Sequence, residues 1–191
     1  MIIDRIEPDI LKVVRAAGHV VFTDGEYNLN IVGVRKNSLY GNTFDDLLHV
    51  VYKNNDVWLE DVYPITTDPG LYYIQNPLQV TGTAVVAPGQ YRGVFEIGYH
   101  KGSYKALVQK KPITVYRERT VTLEGNEPKE TGMFGINIHR ASAVKASTIV
   151  DKWSAGCQVF ADPVQFTDFM STCSHAAKLW GNSFTYTLLT G

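Results

Sequence analysis

The chain has 191 residues, of which 45% are hydrophobic and 19% are charged. This is the composition of a globular protein, and it excludes a disordered chain or a coiled coil. A net charge of −1 argues against a basic nucleic-acid-binding surface. No apolar run is long enough to span a membrane, and two cysteines are too few for a disulfide framework.

A helix is predicted at the beginning of the chain, over residues 8–17. Pro8 suits the first helical position, apolar residues recur at helical spacing, and Gly18 suits the end of the helix. Short runs of β-branched and aromatic residues, separated by Asp-Gly and Pro-Gly turn signals, then predict a series of strands. These strands span residues 19–23, 27–34, 44–52, 57–63, 80–87, 91–99, 104–109 and 113–117.

The last third of the chain has a different pattern. Residues 135–139 predict a buried strand, and residues 154–160 predict a second one that is entered through a tight turn at Gly156. The polar stretch between them, residues 140–153, is long enough for a functional loop.

The clearest helix of the sequence follows these strands. Asp162 can cap its first turn and Pro163 suits its first position, and a strand over residues 183–189 comes after the helix. Together the elements predict a mostly β (α+β) single domain with an N-terminal and a C-terminal helix. Residues 1–131 are its strand-rich part, and residues 132–191 carry the candidate site.

Cys157 has the sequence features of a nucleophile. Gly156, directly before it, lets the backbone approach a ligand without a Cβ, and a tight turn can direct consecutive N–H groups at an oxyanion. A thiol needs a neighbouring base, and His139, at the end of a predicted strand 18 residues earlier, is the best candidate. Cys173 lies on the apolar stripe of the C-terminal helix, which favours a buried core position.

The order of His139, a loop and then residues 154–157 (Ser-Ala-Gly-Cys) resembles the signature of L,D-transpeptidase catalytic domains, also called YkuD-like domains. The resemblance spans residues 132–168. Papain-like and NlpC/P60-like enzymes place the Cys before the His, so their pattern does not fit. The resemblance implies a mostly β catalytic domain that acts on peptidoglycan stem peptides through an acyl-enzyme on the cysteine.

The resemblance also implies a role for each matching residue. Cys157 is the expected nucleophile and His139 its base, while the backbone carbonyl of Arg140 is expected to hold the imidazole tautomer. Ser154 is expected to brace the turn. The N–H groups of Gly156 and Cys157 are expected to bind the oxyanion.

Three residues are candidates for substrate binding, namely Trp153, Gln158 and Tyr104. The family usually follows its Cys with an apolar residue and then Arg or Asn, whereas this chain has Gln158-Val159. It often has Gly or Ser after the His, where this chain has Arg140. The first departure predicts altered recognition of the substrate carboxylate.

A second set of short segments lies in the strand-rich part, at residues 44–46, 66–70, 87–91, 106–109 and 115–117. These segments weakly resemble parts of uncharacterised phage proteins that carry the same His-to-Cys end. The chain begins without the basic start and apolar core of a signal peptide, which predicts synthesis in the cytoplasm. A phage endolysin released by a holin, or a virion enzyme delivered with the particle, reaches the cell wall without such a signal.

Peptidoglycan stem peptides are therefore the expected partner, with no nucleic acid, no membrane insertion and no cofactor. A zinc site formed by His139, Cys157, Cys173 and His175 has poor ligand spacing, so no metal is expected. A basic cluster is interpreted either as a solvated strand face or as a rim that attracts acidic stem peptides. Its members are Lys101, Lys105, Lys110, Lys111, Arg117 and Arg119.

The leading hypothesis is a phage murein hydrolase that uses a cysteine nucleophile, as an L,D-carboxypeptidase or an endopeptidase. Two alternatives stay open. One is a non-catalytic phage structural or cell-wall-binding protein that keeps the fold, and the other is a true L,D-transpeptidase. The oligomeric state is not predicted.

Overall fold

A computed structural model describes residues 2–4, 6–36, 42–118 and 127–191. Within these ranges the chain forms twelve strands and three helices. In chain order they are β1 (Ile2–Asp4), α1 (Asp9–Ala16), β2 (Asn30–Arg35), β3 (Asp46–Asn54), β4 (Val57–Thr66), α2 (Leu71–Gln75), β5 (Thr83–Val86), β6 (Gly89–His100), β7 (Tyr104–Gln109), β8 (Ile113–Glu118), β9 (Lys129–Gly132), β10 (Ile138–Arg140), β11 (Gln158–Phe160), α3 (Pro163–Trp180) and β12 (Phe184–Thr190).

Eight of the described strands close into a barrel-like sheet. Their order is β4-β11-β10-β7-β6-β12-β2-β3, and β3 pairs back with β4 along its whole length. Two neighbouring pairs are parallel, β10 with β11 and β12 with β2. Strand β1 adds to the first half of β4, and β5, β8 and β9 form a separate three-stranded sheet.

Helix α3 packs against the largest hydrophobic core. The Asp162 side chain accepts a hydrogen bond from the Val164 N–H at 2.8 Å, which caps the helix as its sequence predicts. Phe166, Phe169 and Cys173 are buried against residues of the barrel strands. Among the described helices, none is long and apolar enough to cross a membrane.

The expectation of a mostly β, α+β fold with an N-terminal and a C-terminal helix is confirmed. The strand predicted over residues 19–23 is wrong, because side chains satisfy its backbone instead of a neighbouring strand. The Asn30 side chain bonds both the N–H and the carbonyl of Phe22, and the Gln90 side chain does the same for Val20. The short helix α2 and the strands β1 and β9 were not predicted.

Candidate active site

The parallel pair β10–β11 brings His139 and Cys157 to one face of the sheet. Its register pairs Ile138 with Gln158 and His139 with Val159. Ile138 and Gln158 are fully buried on the core side. Because side chains alternate along a strand, His139 and the cysteine immediately before β11 belong to the opposite face.

The turn before β11 is held by Ser154. Its hydroxyl donates to the Cys157 carbonyl at 2.8 Å and accepts the Gly156 N–H at 3.1 Å. Gly156 has a φ of 121°, and a Cβ at this position would lie 2.3 Å from the Ala84 carbonyl oxygen of β5. Glycine is therefore required here by both the backbone conformation and the close approach of β5.

One expectation about this turn needs correction. The Gly156 N–H is bonded to the Ser154 hydroxyl, so it does not point to an oxyanion in this conformation. The Cys157 N–H remains the candidate oxyanion donor of the turn.

The Cys157 side chain is partly exposed and lies among backbone groups of the segment before β10. Its Sγ accepts the Asn137 N–H at 3.4 Å and lies 3.6 Å from the Gly135 carbonyl oxygen. The part of the side chain that is shielded from water raises the pKa of the thiol, while the Asn137 N–H and the Lys101 charge oppose that shift. The thiol is therefore protonated at neutral pH and needs a base to become a nucleophile.

His139 has the tautomer that such a base requires. Its Nδ1 lies 2.8 Å from the Arg140 carbonyl oxygen, which is the contact that the resemblance implies. Because a carbonyl only accepts, the proton is on Nδ1 and Nε2 is free to take one. Burial is the main cause that lowers the pKa of the imidazole, to about 3.

His100 was not recognised as part of the site from the sequence, where it had no evident partner. Its ring stacks on His139 with 4.1 Å between centroids and 22° between planes. The Asn137 side-chain nitrogen lies 3.0 Å from His100 Nδ1. The sequence feature that could have located His100 near the site is the β6–β7 hairpin, whose register pairs it with Tyr104.

The three predicted substrate-binding residues have different positions. Gln158 is fully buried and bonds the Tyr186 hydroxyl at 2.7 Å, so its assignment to substrate binding is wrong. Tyr104 lies behind the imidazole, where its hydroxyl donates to the Arg140 carbonyl at 3.2 Å. The Arg140 guanidinium lies 3.8 Å from the centre of the Tyr104 ring. Trp153 is 44% exposed beside the turn, and its role stays a prediction.

A cavity of about 220 Å³ opens beside the turn. Phe134 and Ala155, the latter in the turn before the cysteine, line it, and the exposed Leu78 and Met133 contribute to its lining. Arg117 also lines it, but its guanidinium bonds Glu130 at 2.7 Å and lies over the Phe134 ring. The cavity therefore combines apolar walls with a cation that is already paired.

The other candidates lie away from this arrangement. Cys173 is completely buried in the core, and His175 stacks on Tyr27 at 4.1 Å. Within the described ranges no group of three His, Cys, Asp or Glu side chains is arranged to hold a metal. Of the predicted basic rim, Arg117 is 9% exposed, and Arg119 lies outside the described residues.

No model of a known protein family matches the chain, and no curated protein matches it either. The chemistry of the site is therefore inferred from its own residues.

Proposed function

We propose that the protein is a cysteine enzyme of the L,D-transpeptidase-like (YkuD-like) type that acts on peptidoglycan stem peptides, as a phage murein hydrolase. The observation that carries the proposal is the parallel pair β10–β11. It presents His139 and Cys157 on one face, with the imidazole Nδ1 anchored on the Arg140 carbonyl. Within this proposal the protein acts at the cell wall, after holin release or virion delivery.

The proposed reaction begins with a proton transfer. Cys157 Sγ gives its proton to His139 Nε2, and the thiolate attacks the carbonyl carbon of a stem-peptide amide. The tetrahedral intermediate collapses to a thioester, and the departing amine takes the proton from His139. Water then attacks the thioester, which releases the shortened peptide and restores the thiol.

The surroundings of the thiol support acyl transfer. The Cys157 N–H lies at the turn where an oxyanion forms next to the attacking sulfur. The cavity at Ala155 and Phe134 offers apolar walls for one side of the peptide chain. Trp153, exposed at the beginning of the turn, is the candidate contact on the other side.

The proposal favours hydrolysis, as an L,D-carboxypeptidase or an endopeptidase, over transfer. Val159 stands where the family usually has Arg or Asn, and it is completely buried, so this position offers no charge to a substrate carboxylate. Transfer requires a second stem peptide and exclusion of water from the thioester, whereas hydrolysis requires only water. The phage resemblance also favours opening of the wall.

The test is incubation of muropeptides with the protein and a D-amino acid acceptor, followed by mass spectrometry. We expect peptides shortened by hydrolysis. Products that carry the added D-amino acid, or new cross-links, would instead identify a true L,D-transpeptidase.

The buried Val159 also supports a second candidate, a non-catalytic phage structural or wall-binding protein. The two candidates predict different results when the protein is incubated with intact sacculi. A wall-binding protein sediments with sacculi and releases nothing, whereas the proposed hydrolase changes the muropeptide profile. Cys157→Ala, which is expected to fold because Cys157 is partly exposed, is the matched control for both measurements.

A further inference from the structure

The His100 ring is a buried partner of the proposed base. It ends β6, is 7% exposed, and lies face to face with His139 at 4.1 Å. Two imidazoles in this arrangement cannot both be charged without strong repulsion in a desolvated site. The protonation state of His100 therefore affects what His139 can do.

Asn137 fixes that protonation state by geometry. Its side-chain oxygen accepts the Gln109 N–H at 3.1 Å, which orients the amide. Its side-chain nitrogen therefore faces His100 Nδ1 at 3.0 Å, and an amide nitrogen only donates. His100 Nδ1 must accept, so the ring is neutral and its proton is on Nε2.

Protonation of His100 would place an N–H group directly against the Asn137 amide donor. The charged groups nearest to the ring add to this barrier. Burial lowers the pKa of His100, and the charges of Lys101, which follows it in the chain, and of Arg140, which lies on β10, lower it further. Among the described residues, two further titratable side chains contact the ring, Tyr104, which is tilted against it at 5.5 Å, and His139 itself.

We propose that His100 is a positioning residue of the site. Its ring is locked in the neutral form and holds the His139 imidazole in place. After proton transfer it lies against the positive charge on His139. The inference rests on the proposed function. A neutral aromatic face stabilises a cation stacked on it, whereas a charged ring would oppose the transfer. Asn137 connects His100 to the nucleophile, because its side-chain nitrogen contacts the His100 ring and its backbone N–H donates to Cys157 Sγ.

The test uses the ring nitrogens of the wild-type protein labelled with ¹⁵N-histidine. Long-range ¹H–¹⁵N spectra, assigned with His100→Phe and His139→Gln, report the tautomer of each ring. We expect a neutral His100 with its proton on Nε2 and a neutral His139 with its proton on Nδ1, at both pH 7 and pH 5. An imidazolium at position 100 at pH 7, or a proton on its Nδ1, would overturn the inference.

Asn137→Asp provides the sharpest change of charge. The carboxylate still accepts the Gln109 N–H, but it replaces the amide donor with an acceptor, so His100 is expected to become an imidazolium at pH 7. A His100 that stays neutral in this variant would show that Asn137 does not set its protonation.

The effect on the thiol is measured by the rate at which iodoacetamide alkylates Cys157 at pH 7, and the buried Cys173 should stay unlabelled as long as the protein is folded. His100→Ala is expected to slow alkylation of Cys157 by about 10-fold to 100-fold, because the base loses its orientation. His100→Phe restores a flat neutral ring and is expected to recover most of that loss. Unchanged alkylation in His100→Ala would contradict the inference.

These measurements separate the inference from the proposed function. The ring spectra and the alkylation rates need no peptidoglycan, so they decide the role of His100 even for a protein that leaves muropeptides unchanged. Conversely, muropeptide cleavage with a charged His100 would leave the function standing and remove the inference.

Discussion

The proposed catalytic pair is held in its uncharged form by its surroundings. Burial raises the pKa of the Cys157 thiol and lowers the pKa of the His139 imidazole to about 3. Both shifts disfavour a preformed thiolate–imidazolium pair. The proton therefore moves as the sulfur attacks an electrophile, with His139 acting as a general base.

The lowered pKa of His139 predicts how the activity depends on pH. Because the pKa of His139 is lowered, its neutral form persists as the pH falls, and the base is present throughout pH 5 to 8. We expect kcat/KM for stem-peptide cleavage to be constant over this range, with the loss of activity near pH 3. A decline centred near pH 6.5 would show an imidazole with an ordinary pKa and would contradict this description of the site.

The two cysteines are expected to respond differently to truncation. Cys173→Ala leaves a cavity in the core at a completely buried position, so it should cost about 1 kcal/mol or more of unfolding free energy. Cys157→Ala, at a partly exposed position, should change stability by less than about 0.5 kcal/mol. Urea unfolding of both variants measures this, and the reverse order would exchange the roles of the two residues.

At the scale of the elements, the turn into β11 depends on the contact between Gly156 and β5. Gly156→Ala forces a Cβ to within 2.3 Å of the Ala84 carbonyl in addition to its positive φ. We expect a loss of about 1–3 kcal/mol of stability from the backbone strain, a further loss from the clash, and a loss of Cys157 reactivity.

Gly18→Ala is the matched control for that variant. Gly18 also has a positive φ, of 79°, but a Cβ added at this position would have no atom within 4 Å outside its chain neighbours. Its cost should be limited to the backbone strain, and Cys157 should be alkylated at the wild-type rate. Equal losses in the two variants would mean that the approach of β5 does not shape the turn.

How well each element was predicted depends on how far apart in the sequence the residues that stabilise it lie. Helix α3 was predicted to its ends because Asp162, Pro163 and Gly181 are local signals. The segment over residues 19–23 was mispredicted because distant side chains bond its backbone. Strand β9 has no apolar alternation and forms by pairing with β8.

The same distinction applies to the site. The resemblance placed His139, Cys157 and the Ser154 turn together because their motif is local in sequence. The burial of Gln158 follows from the register of β11 against β10, and the stacking of His100 follows from the position of β7 between β6 and β10. Neither can be read from sequence spacing.

At the scale of the whole molecule, an ion pair between the buried Arg35 and the partly buried Asp68 joins the barrel to the site. The Arg35 Nε lies 2.9 Å from an Asp68 carboxylate oxygen, and Nη2 donates to the Thr67 carbonyl at 3.0 Å. The same turn continues to Gly70, whose N–H donates to the Ser154 carbonyl at 2.9 Å. Loss of this network should therefore affect both stability and the turn that carries Cys157.

Arg35→Met tests the network. It leaves the partly buried Asp68 carboxylate without its cation, which should cost up to about 3 kcal/mol at pH 7, because a fully buried unpaired charge costs about 3–5 kcal/mol. Burial raises the pKa of Asp68 to about 6, and removal of Arg35 raises it further. For an acid with a raised pKa the penalty is present at high pH and is relieved as protons bind, so the deficit should be smaller at pH 5.

Urea unfolding at pH 7 and pH 5 measures this difference. Arg15→Met, which removes an exposed ion pair with Glu7, is the control and should leave stability unchanged at both pH values. An Arg35→Met deficit that is independent of pH would exclude Asp68 as its source.

The central claim is that this chain uses Cys157 to cleave peptidoglycan stem peptides, and the most direct test is mass spectrometry of purified sacculi treated with the wild-type protein or with Cys157→Ala. The wild-type protein is expected to yield muropeptides with shortened or separated stem peptides, and the variant to yield none. An unchanged muropeptide profile with the folded wild-type protein, or equal cleavage by the variant, would contradict the claim.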